Sequence, residues 1–219
     1  MKREELTDQE YYHLLEIIGK VLMKSGLKAT TMDSLAAALK MSKRTLYEIF
    51  DSKEEMFKEA GLYFHKKFED ALKKIFQESS NVMEAILKCF LFNRNLMSNL
   101  NIDFIREMNE FAEKNLTSKN DQKQQAILSM YNLLLRGVEE GYFRKDVNLM
   151  VQCRMLSLQM ESLKRMEELF PPDITLLEVY DNISLSFLRG LCSPQGLEEL
   201  DKTLPLLNIN DTNQEIYNA

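Results

Sequence analysis

The sequence predicts an all-α protein, and two observations favour this fold class. Glycine and proline together number 11 among 219 residues, whereas average usage gives about 26 in a chain of this length. An all-β fold needs many turns and therefore more of both residues. Along most of the chain, apolar residues also recur every three or four positions, which places them on one face of an α-helix.

The first two helices are recognised by their ends. A first helix is predicted by apolar residues at helical spacing, which are Tyr11, Leu15, Ile18 and Leu22. We expect it to end at Ser25-Gly26, because glycine tolerates the left-handed conformation that closes many helices. Thr31 is expected to cap a short second helix, residues 32–39, by accepting a hydrogen bond from a first-turn amide. Asp33 in that turn suits the helix dipole.

Two further caps predict the third and fourth helices. Ser42 is expected to cap a second short helix, residues 43–50. Ser52, followed three residues later by Glu55, predicts a capping box that starts a fourth helix over residues 53–77. The two short helices, between residues 31 and 50, are joined by about three residues, and that spacing is typical of a helix-turn-helix.

The outward face of the second short helix combines cations and hydroxyls. Its side chains are Lys43, Arg44, Thr45 and Tyr47. They lie near the helix N-terminus, where free amides and the dipole already favour anions, and they suit phosphates and base edges. The charge agrees, because residues 20–47 have net charge +5 whereas the whole chain has −6. From charge alone, an ordinary solvated lysine face remains the alternative.

Metal and catalytic sites have little support. His13 and His65 are the only histidines, which excludes most zinc sites by ligand count. Glu10 and His13 have the Glu-x-x-His spacing of a di-metal helix-bundle site, but such a site needs that motif twice. No glycine-rich phosphate loop and no Gly-x-Ser-x-Gly motif occurs. We therefore expect no enzyme, no metal site and no cofactor.

Cysteine usage and hydropathy favour a cytoplasmic location. Cys89, Cys153 and Cys192 are far apart and odd in number, so we expect small core residues rather than a disulfide framework. No apolar run approaches the roughly 20 residues that a membrane span needs. The first residues are polar and lack the apolar core of a secretory signal. We expect no membrane partner.

The helix-turn-helix segment resembles a known family. Residues 30–50, T-T-M-D-S-L-A-A-A-L-K-M-S-K-R-T-L-Y-E-I-F, are similar to the helix-turn-helix of the TetR/AcrR family of bacterial transcriptional regulators. Residues 52–57, S-K-E-E-M-F, resemble the start of that family's fourth helix. The resemblance implies a helix-turn-helix DNA-binding domain, at 8–68, and a larger helical domain for ligand binding and dimerisation, at 69–194. We expect a C-terminal tail over 195–219.

The resemblance also implies roles for individual residues. We expect the DNA-binding residues to be Thr31, Ser42, Lys43, Arg44, Thr45, Tyr47 and Lys53. Thr31, Tyr47 and the two lysines match positions that contact phosphates in the family, whereas Arg44 and Thr45 match positions that read bases or approach the DNA closely. Ser42 is the predicted cap beside them.

Two positions depart from the family pattern. Many members have glycine in the turn where this chain has Lys40, so a left-handed backbone there would cost up to about 1 kcal/mol. Many also have glycine or proline where this chain has Arg44. Because arginine reaches further than either, we expect the bases that are read to differ.

The rest of the chain is predicted to contain five more helices. Their expected ranges are 82–98, 102–116, 122–140, 147–170 and 174–192. The last two have apolar residues on two sides, which favours packing against both their own core and a second partner. The same pair from a second chain would complete a four-helix dimer interface, and a helix buried centrally in a monomer is the alternative. We expect the interface residues to be Leu156, Met160, Leu163, Ile183 and Phe187.

Methionine and phenylalanine are abundant, with 13 and 12 residues. Flexible and aromatic apolar side chains suit an adaptable ligand cavity, although an ordinary core is the alternative. The expected ligand-binding residues are Phe90, Phe104, Met108, Met130 and Met160. No polar cluster identifies the ligand.

These patterns predict a ligand-responsive, sequence-specific DNA-binding transcriptional regulator, a repressor released from its operator by a small molecule. Its expected partners are a palindromic double-stranded DNA operator, a second copy of the chain and an apolar effector. A helical small-molecule carrier without DNA binding is the alternative, and the intact basic helix-turn-helix argues against it. A di-metal helix-bundle enzyme is a second alternative, which the missing second Glu-x-x-His argues against.

Overall fold

The computed structural model describes the backbone of residues 3–99, 102–115 and 119–205, and this part of the chain is predominantly α-helical. The helices are α1 Asp8–Ser25, α2 Met32–Ala38, α3 Lys43–Ile49, α4 Lys53–Glu78, α5 Val82–Asn99, α6 Ile102–Asn115, α7 Lys119–Glu139, α8 Leu149–Ser162, α9 Met166–Leu169, α10 Leu176–Leu191 and α11 Pro194–Thr203. Within the described ranges, β-type pairing is confined to an isolated bridge between Phe143 and Cys192. The predicted all-α fold is confirmed. None of the described helices combines the length and hydropathy needed to cross a membrane.

The chain divides into two compact units. The head unit comprises residues up to Lys73 together with residues 102–109, and the body unit comprises Lys74–Ser98 with the residues from Glu110 onward. The predicted boundary after residue 68 lies within α4, and the prediction did not include the first part of α6 in the head. Because α4 continues through this boundary, its sequence gives no signal of where the head ends.

The head unit is held together by one small apolar core. Its fully buried side chains are Ile18, Leu35, Leu46, Phe50 and Met56, each 0% exposed. The helices α2 and α3 have seven residues each, which is too short for an isolated helix to be stable in water. Burial of their inner faces in this core therefore stabilises both of them.

Close packing of α1 on α4 depends on a glycine. At Gly19 in α1, a Cβ atom would lie 1.8 Å from the ring of Phe64 in α4. Any side chain there would displace the ring, so glycine at this position sets the separation of the two helices. Next to it, the rings of Tyr12 and Tyr63 are stacked with centroids 5.4 Å apart.

The caps of the head helices are mostly those that the sequence predicts. The hydroxyl oxygens of Thr31 and Ser42 accept hydrogen bonds from the first turns of α2 and α3, and the Ser52 hydroxyl accepts one from the Glu55 amide at 3.0 Å. The expected return bond differs, because the Glu55 carboxylate accepts from the Asp51 amide at 2.6 Å rather than from Ser52. Lys40 adopts the left-handed conformation, with φ of 54°.

A buried carboxylate from α6 completes the turn between α1 and α2. Glu107 is 7% exposed, and its Oε2 accepts hydrogen bonds from the amides of Leu27 at 2.5 Å and Lys28 at 3.1 Å. A Cβ atom at Gly26, where φ is 80°, would lie 2.9 Å from the same oxygen. Glycine here therefore permits both the left-handed backbone and the close approach of the carboxylate.

The body unit has a separate apolar core. Its buried members include Val82, Met83, Leu87, Leu134, Phe143, Cys153, Leu188, Leu191 and Leu200. They come from α5, α7, α8, α10, α11 and the loop after α7. Two of the cysteines, Cys153 and Cys192, are buried in this core as expected, whereas Cys89 is half-buried. Burial raises the pKa of the Cys89 thiol to about 12.

Two predicted elements of the body are wrong. The expected helix over 147–170 ends as α8 at Ser162, and a 3-10 turn and the short α9 follow it. The Ser162 hydroxyl donates to the Gln159 carbonyl at 2.6 Å, and serine bonds of this kind compete with the helical pattern. The expected tail after residue 194 instead begins with α11, which Ser193 caps and whose Leu200 is 0% exposed.

We expect the substitution Glu107→Ala to lower the free energy of unfolding by about 2–3 kcal/mol, because it leaves the buried amide of Leu27 and the partly buried amide of Lys28 without their acceptor. Urea denaturation of the purified protein measures this loss. Glu69→Ala is the control, since Glu69 is an exposed glutamate on α4 whose side chain is 53% accessible, and we expect it to change stability by less than about 0.5 kcal/mol. Equal losses for the two variants would contradict a structural role for Glu107.

Candidate nucleic-acid interface

The helix α3 presents one polar face and buries the other. Leu46 and Ile49 on its inner face are 0% and 6% exposed, and they fix the rotation of the helix about its axis. Four residues on the opposite face are consequently exposed, and they are Lys43, Arg44, Tyr47 and Glu48. Three of these residues are predicted DNA contacts, and the fourth is a carboxylate that the prediction did not include.

Lys43 pairs with a carboxylate from the neighbouring helix. Its Nζ donates to Asp33 Oδ2 of α2 at 2.9 Å, and both side chains are well exposed. The hydrogen bond and the negative charge of Asp33 together raise the pKa of Lys43. Lys43 therefore remains a full cation at neutral pH, and an exposed pair of this kind is readily exchanged for another anion such as a phosphate.

Arg44 pairs within its own helix. Its Nε donates to Glu48 Oε1 at 3.0 Å, across one turn of α3. The Arg44 side chain is 89% exposed and that of Glu48 is 33% exposed. The guanidinium thus lies at the surface with one edge held by the carboxylate. The spacing of four residues between Arg44 and Glu48 is visible in the sequence and is typical of an ion pair on a helix.

The predicted DNA-contact residues that carry a hydroxyl differ in their hydrogen-bond partners and in their exposure. Ser42 and Thr45 bond to each other at 2.8 Å, and the Ser42 hydroxyl also accepts from the Thr45 amide at 3.0 Å. Thr31 is engaged similarly with Ser34 of α2. These three side chains have local capping partners, whereas the Tyr47 ring is 48% exposed on the outer face.

Lys53 is the first residue of α4. Its Nζ lies 5.1 Å from the centroid of the Phe57 ring, which is within the range of a cation–π interaction. The aliphatic stem thus follows the helix surface and leaves the ammonium group at the start of α4. An anion can approach that position, because helix N-termini carry positive partial charge.

The expected ligand-binding residues are distributed over both units. Phe90, Met130 and Met160 belong to the body unit, and Phe104 and Met108 belong to the head unit. Phe90 is buried and stacks on Tyr180, with ring centroids 5.6 Å apart, and Met130 packs against the body core. The five residues therefore belong to two different units, and their role in ligand binding stays a prediction.

The helices predicted to form the dimer interface carry exposed apolar side chains. On α8, Val151, Met155 and Leu158 are 48%, 51% and 64% exposed. Of the residues predicted for the interface, Leu156, Met160, Ile183 and Phe187 are partly accessible. Leu163 is 5% exposed within the single chain, so it has little surface left for a partner, and its place at the interface stays a prediction.

Metal ligation has no support among the residues that the structure describes. No three side chains of histidine, cysteine, aspartate or glutamate in these ranges lie close enough to hold an ion.

Comparison with known proteins places the helix-turn-helix in a family. Residues 15–60 match the model of the family "Bacterial regulatory proteins, tetR family". The HTH-type transcriptional repressor KstR2 of Mycobacterium tuberculosis is 24% identical over 147 residues, which covers 65% of this chain and 74% of that protein. The solved structure of KstR2, described as a ketosteroid transcriptional regulator, matches 86% of this chain and 97% of its own, with 22% identity and a TM-score of 0.58.

Two further solved structures have the same fold. PfmR, a TetR family transcriptional regulator from Thermus thermophilus, is 29% identical, with 82% of this chain and 99% of PfmR covered and a TM-score of 0.53. AibR, solved in complex with isovaleryl coenzyme A and operator DNA, is 21% identical. The match covers 83% of this chain and 97% of AibR, with a TM-score of 0.54.

The segment that matches the family model runs from α1 into α4 and contains both helices of the helix-turn-helix. The outer face of α3 carries the exposed cations described above. The solved structures with the same fold include a regulator of that family, PfmR. Residues 15–60 thus match the helix-turn-helix domain of the TetR family of bacterial regulatory proteins, and the fold of the chain is similar to that of solved transcriptional regulators.

Proposed function

We propose that the chain acts in the cytoplasm as a homodimeric repressor that binds a palindromic DNA operator through α3 and is released by an apolar small molecule. The outer face of α3 carries this proposal. It offers Lys43, Arg44 and Tyr47 to solvent on a helix whose inner face is fully buried. A helix-turn-helix protein places such a face in the major groove.

Phosphate and base contacts are divided among the exposed groups. Lys43 and Lys53, at the starts of α3 and α4, suit the phosphates on either side of the groove, because their compact ammonium groups act as point charges. Arg44 suits a base, since its planar fork matches the two acceptors on the major-groove edge of guanine. Thr31, Ser42 and Thr45 position the helices and come close to the backbone of the DNA.

Dimerisation follows from the apolar face of α8. A face that includes Val151, Met155 and Leu158, each about half exposed or more, is stable in water when a second copy covers it. Two copies related by a twofold axis present two α3 helices, and the operator is then palindromic.

Release by a ligand requires two conformations with different affinities for the effector, because a ligand shifts an equilibrium only by that difference. KstR2 is described as a ketosteroid regulator, and AibR was solved with isovaleryl coenzyme A. These relatives support a small-molecule effector that includes an apolar group. A carrier without DNA binding is a weaker candidate, since it gives no reason for the exposed cations of α3.

The substitutions Lys43→Ala and Lys53→Ala are expected to weaken binding to all DNA sequences about equally, because phosphate contacts contain no base information. If Lys28, Lys43 and Lys53 each contact one phosphate in both protomers, affinity falls about a thousandfold between 50 and 200 mM salt. Fluorescence anisotropy with operator and random duplexes measures both effects. Lys202→Ala on α11 removes the same charge elsewhere and serves as the control. An affinity independent of salt would contradict the proposed contacts.

Arg44→Ala is expected to weaken binding to the best site by about 1–3 kcal/mol and to random DNA much less, because a bidentate arginine–guanine pair provides that discrimination. Binding-site selection with the wild type and the variant side by side is the measurement. Lys43→Ala is the comparison, since its two affinities should fall together. Unchanged base preferences in Arg44→Ala would show that other residues read the sequence.

Met155→Glu and Leu158→Glu are expected to convert the dimer into a folded monomer. Both side chains are exposed in the single chain, at 51% and 64%, so a charge harms packing only where a second copy covers them. Sedimentation gives the mass and circular dichroism gives the helix content. Leu62→Glu on α4 is a matched control, because Leu62 is 50% exposed. A dimer in both α8 variants would place the interface elsewhere.

A further inference from the structure

The outer face of α3 contains one negatively charged residue. Glu48 lies among Lys43, Arg44 and Tyr47 on the face that is opposite the buried Leu46 and Ile49. A carboxylate on a surface that approaches phosphates is unfavourable unless it is paired. Here it is paired, because Arg44 Nε donates to Glu48 Oε1 at 3.0 Å.

We propose that Glu48 is a positioning residue for base recognition: it holds Arg44 so that the two terminal amino groups of the guanidinium face a guanine. The inference rests on the proposed function, because it concerns how the same surface reads its operator. It assigns to Glu48 a role in specificity that is distinct from binding DNA itself.

The geometry of the guanidinium supports this role. The group is planar and offers five N–H donors at fixed angles. Since the Nε–H is directed to Glu48, the donors left for the DNA are those of Nη1 and Nη2. Guanine presents O6 and N7 as two adjacent acceptors in the major groove, and a pair of amino groups approaching end-on matches both of them. The carboxylate thus selects the end-on approach over the approach that uses Nε.

Donor geometry separates Arg44 from Lys43, although both are paired with a carboxylate. The guanidinium paired with Glu48 keeps terminal hydrogen-bond donors that remain available to a base. Lys43 is paired with Asp33 on a different helix, at 2.9 Å, and an ammonium group has no planar fork to align. Asp33 therefore resembles Glu48 in charge, although its side chain is more exposed, at 73% against 33%, and it has no arginine to orient.

The chain thus offers a matched pair of variants. Glu48→Gln and Asp33→Asn each remove one negative charge from a side chain paired with a cation of α3. The experiment is binding-site selection with full-length wild type, Glu48→Gln, Asp33→Asn, Arg44→Ala and the double variant Glu48→Gln with Arg44→Ala. Affinities for the selected site and for a site with the guanine replaced then give the discrimination for each protein.

We expect Glu48→Gln to reduce discrimination for that guanine by up to roughly tenfold, the order that one bidentate arginine–guanine pair provides, because a neutral amide oxygen holds the Arg44 Nε–H less firmly than a carboxylate does. Its affinity for random DNA should stay equal or rise, because a negative charge is removed. In the Arg44→Ala background, Glu48→Gln should cause no further loss of discrimination, since the two side chains act through one interaction. Asp33→Asn should leave base preferences unchanged.

Three results would overturn the inference. Base preferences that are unchanged in Glu48→Gln would mean that the ion pair is only a surface contact of the helix. An effect of Glu48→Gln that persists in the Arg44→Ala background would mean that Glu48 contacts a base directly. A wild-type protein that selects no sequence would refute the proposed function together with this inference, whereas the first two results leave DNA binding intact. Thermal unfolding of each variant verifies that the fold is retained.

Discussion

Everything on the outer face of α3 depends on what its inner face buries. A helix of seven residues does not hold its shape alone, so the orientation of α3 is set by the burial of Leu46, Ile49 and the Phe50 that follows it. Rotating the helix by one residue would turn Arg44 toward the core and expose an apolar side chain. The set of groups offered to DNA is therefore a consequence of apolar packing within the head.

The turn that leads into the helix-turn-helix has a second constraint, which comes from far away in the sequence. The carboxylate of Glu107 accepts hydrogen bonds from the amides of Leu27 and Lys28, which lie 80 and 79 positions earlier in the chain. Buried backbone amides need an acceptor, and an ionised carboxylate is the strongest that a side chain provides. The first part of α6 is thus an integral part of the head, although it is encoded among the body helices.

Many features of the fold that depend on neighbouring residues were predictable from the sequence, whereas features that depend on distant residues were not. Thr31, Ser42 and Gly26 were identifiable because a cap pairs with backbone groups of its own turn, amides at the start of a helix and carbonyls at its end. Glu107 was not, since nothing near it indicates its partners. The break of α8 at Ser162 depends on which competing hydrogen bond forms. The start of α11 was available in Ser193 followed by Pro194, a cap and a favoured first helical residue, and was missed. At the candidate interface, the exposed cations followed from helical periodicity, but their carboxylate partners were not anticipated.

The pairing of Lys43 with Asp33 has a consequence for how a protein of this kind finds its site in a genome. Any operator competes with a vast excess of other DNA, which attracts cations without regard to sequence. A cation that already has an anionic partner gains somewhat less from a chance phosphate, because the existing pair, although readily exchanged, is lost. Encounters with unrelated DNA are shortened accordingly, and the negative charge of the whole chain, which totals −6, shortens them further. Carboxylates such as Asp33, which make the surface less basic, thus shorten the time that the protein spends bound to DNA without an operator.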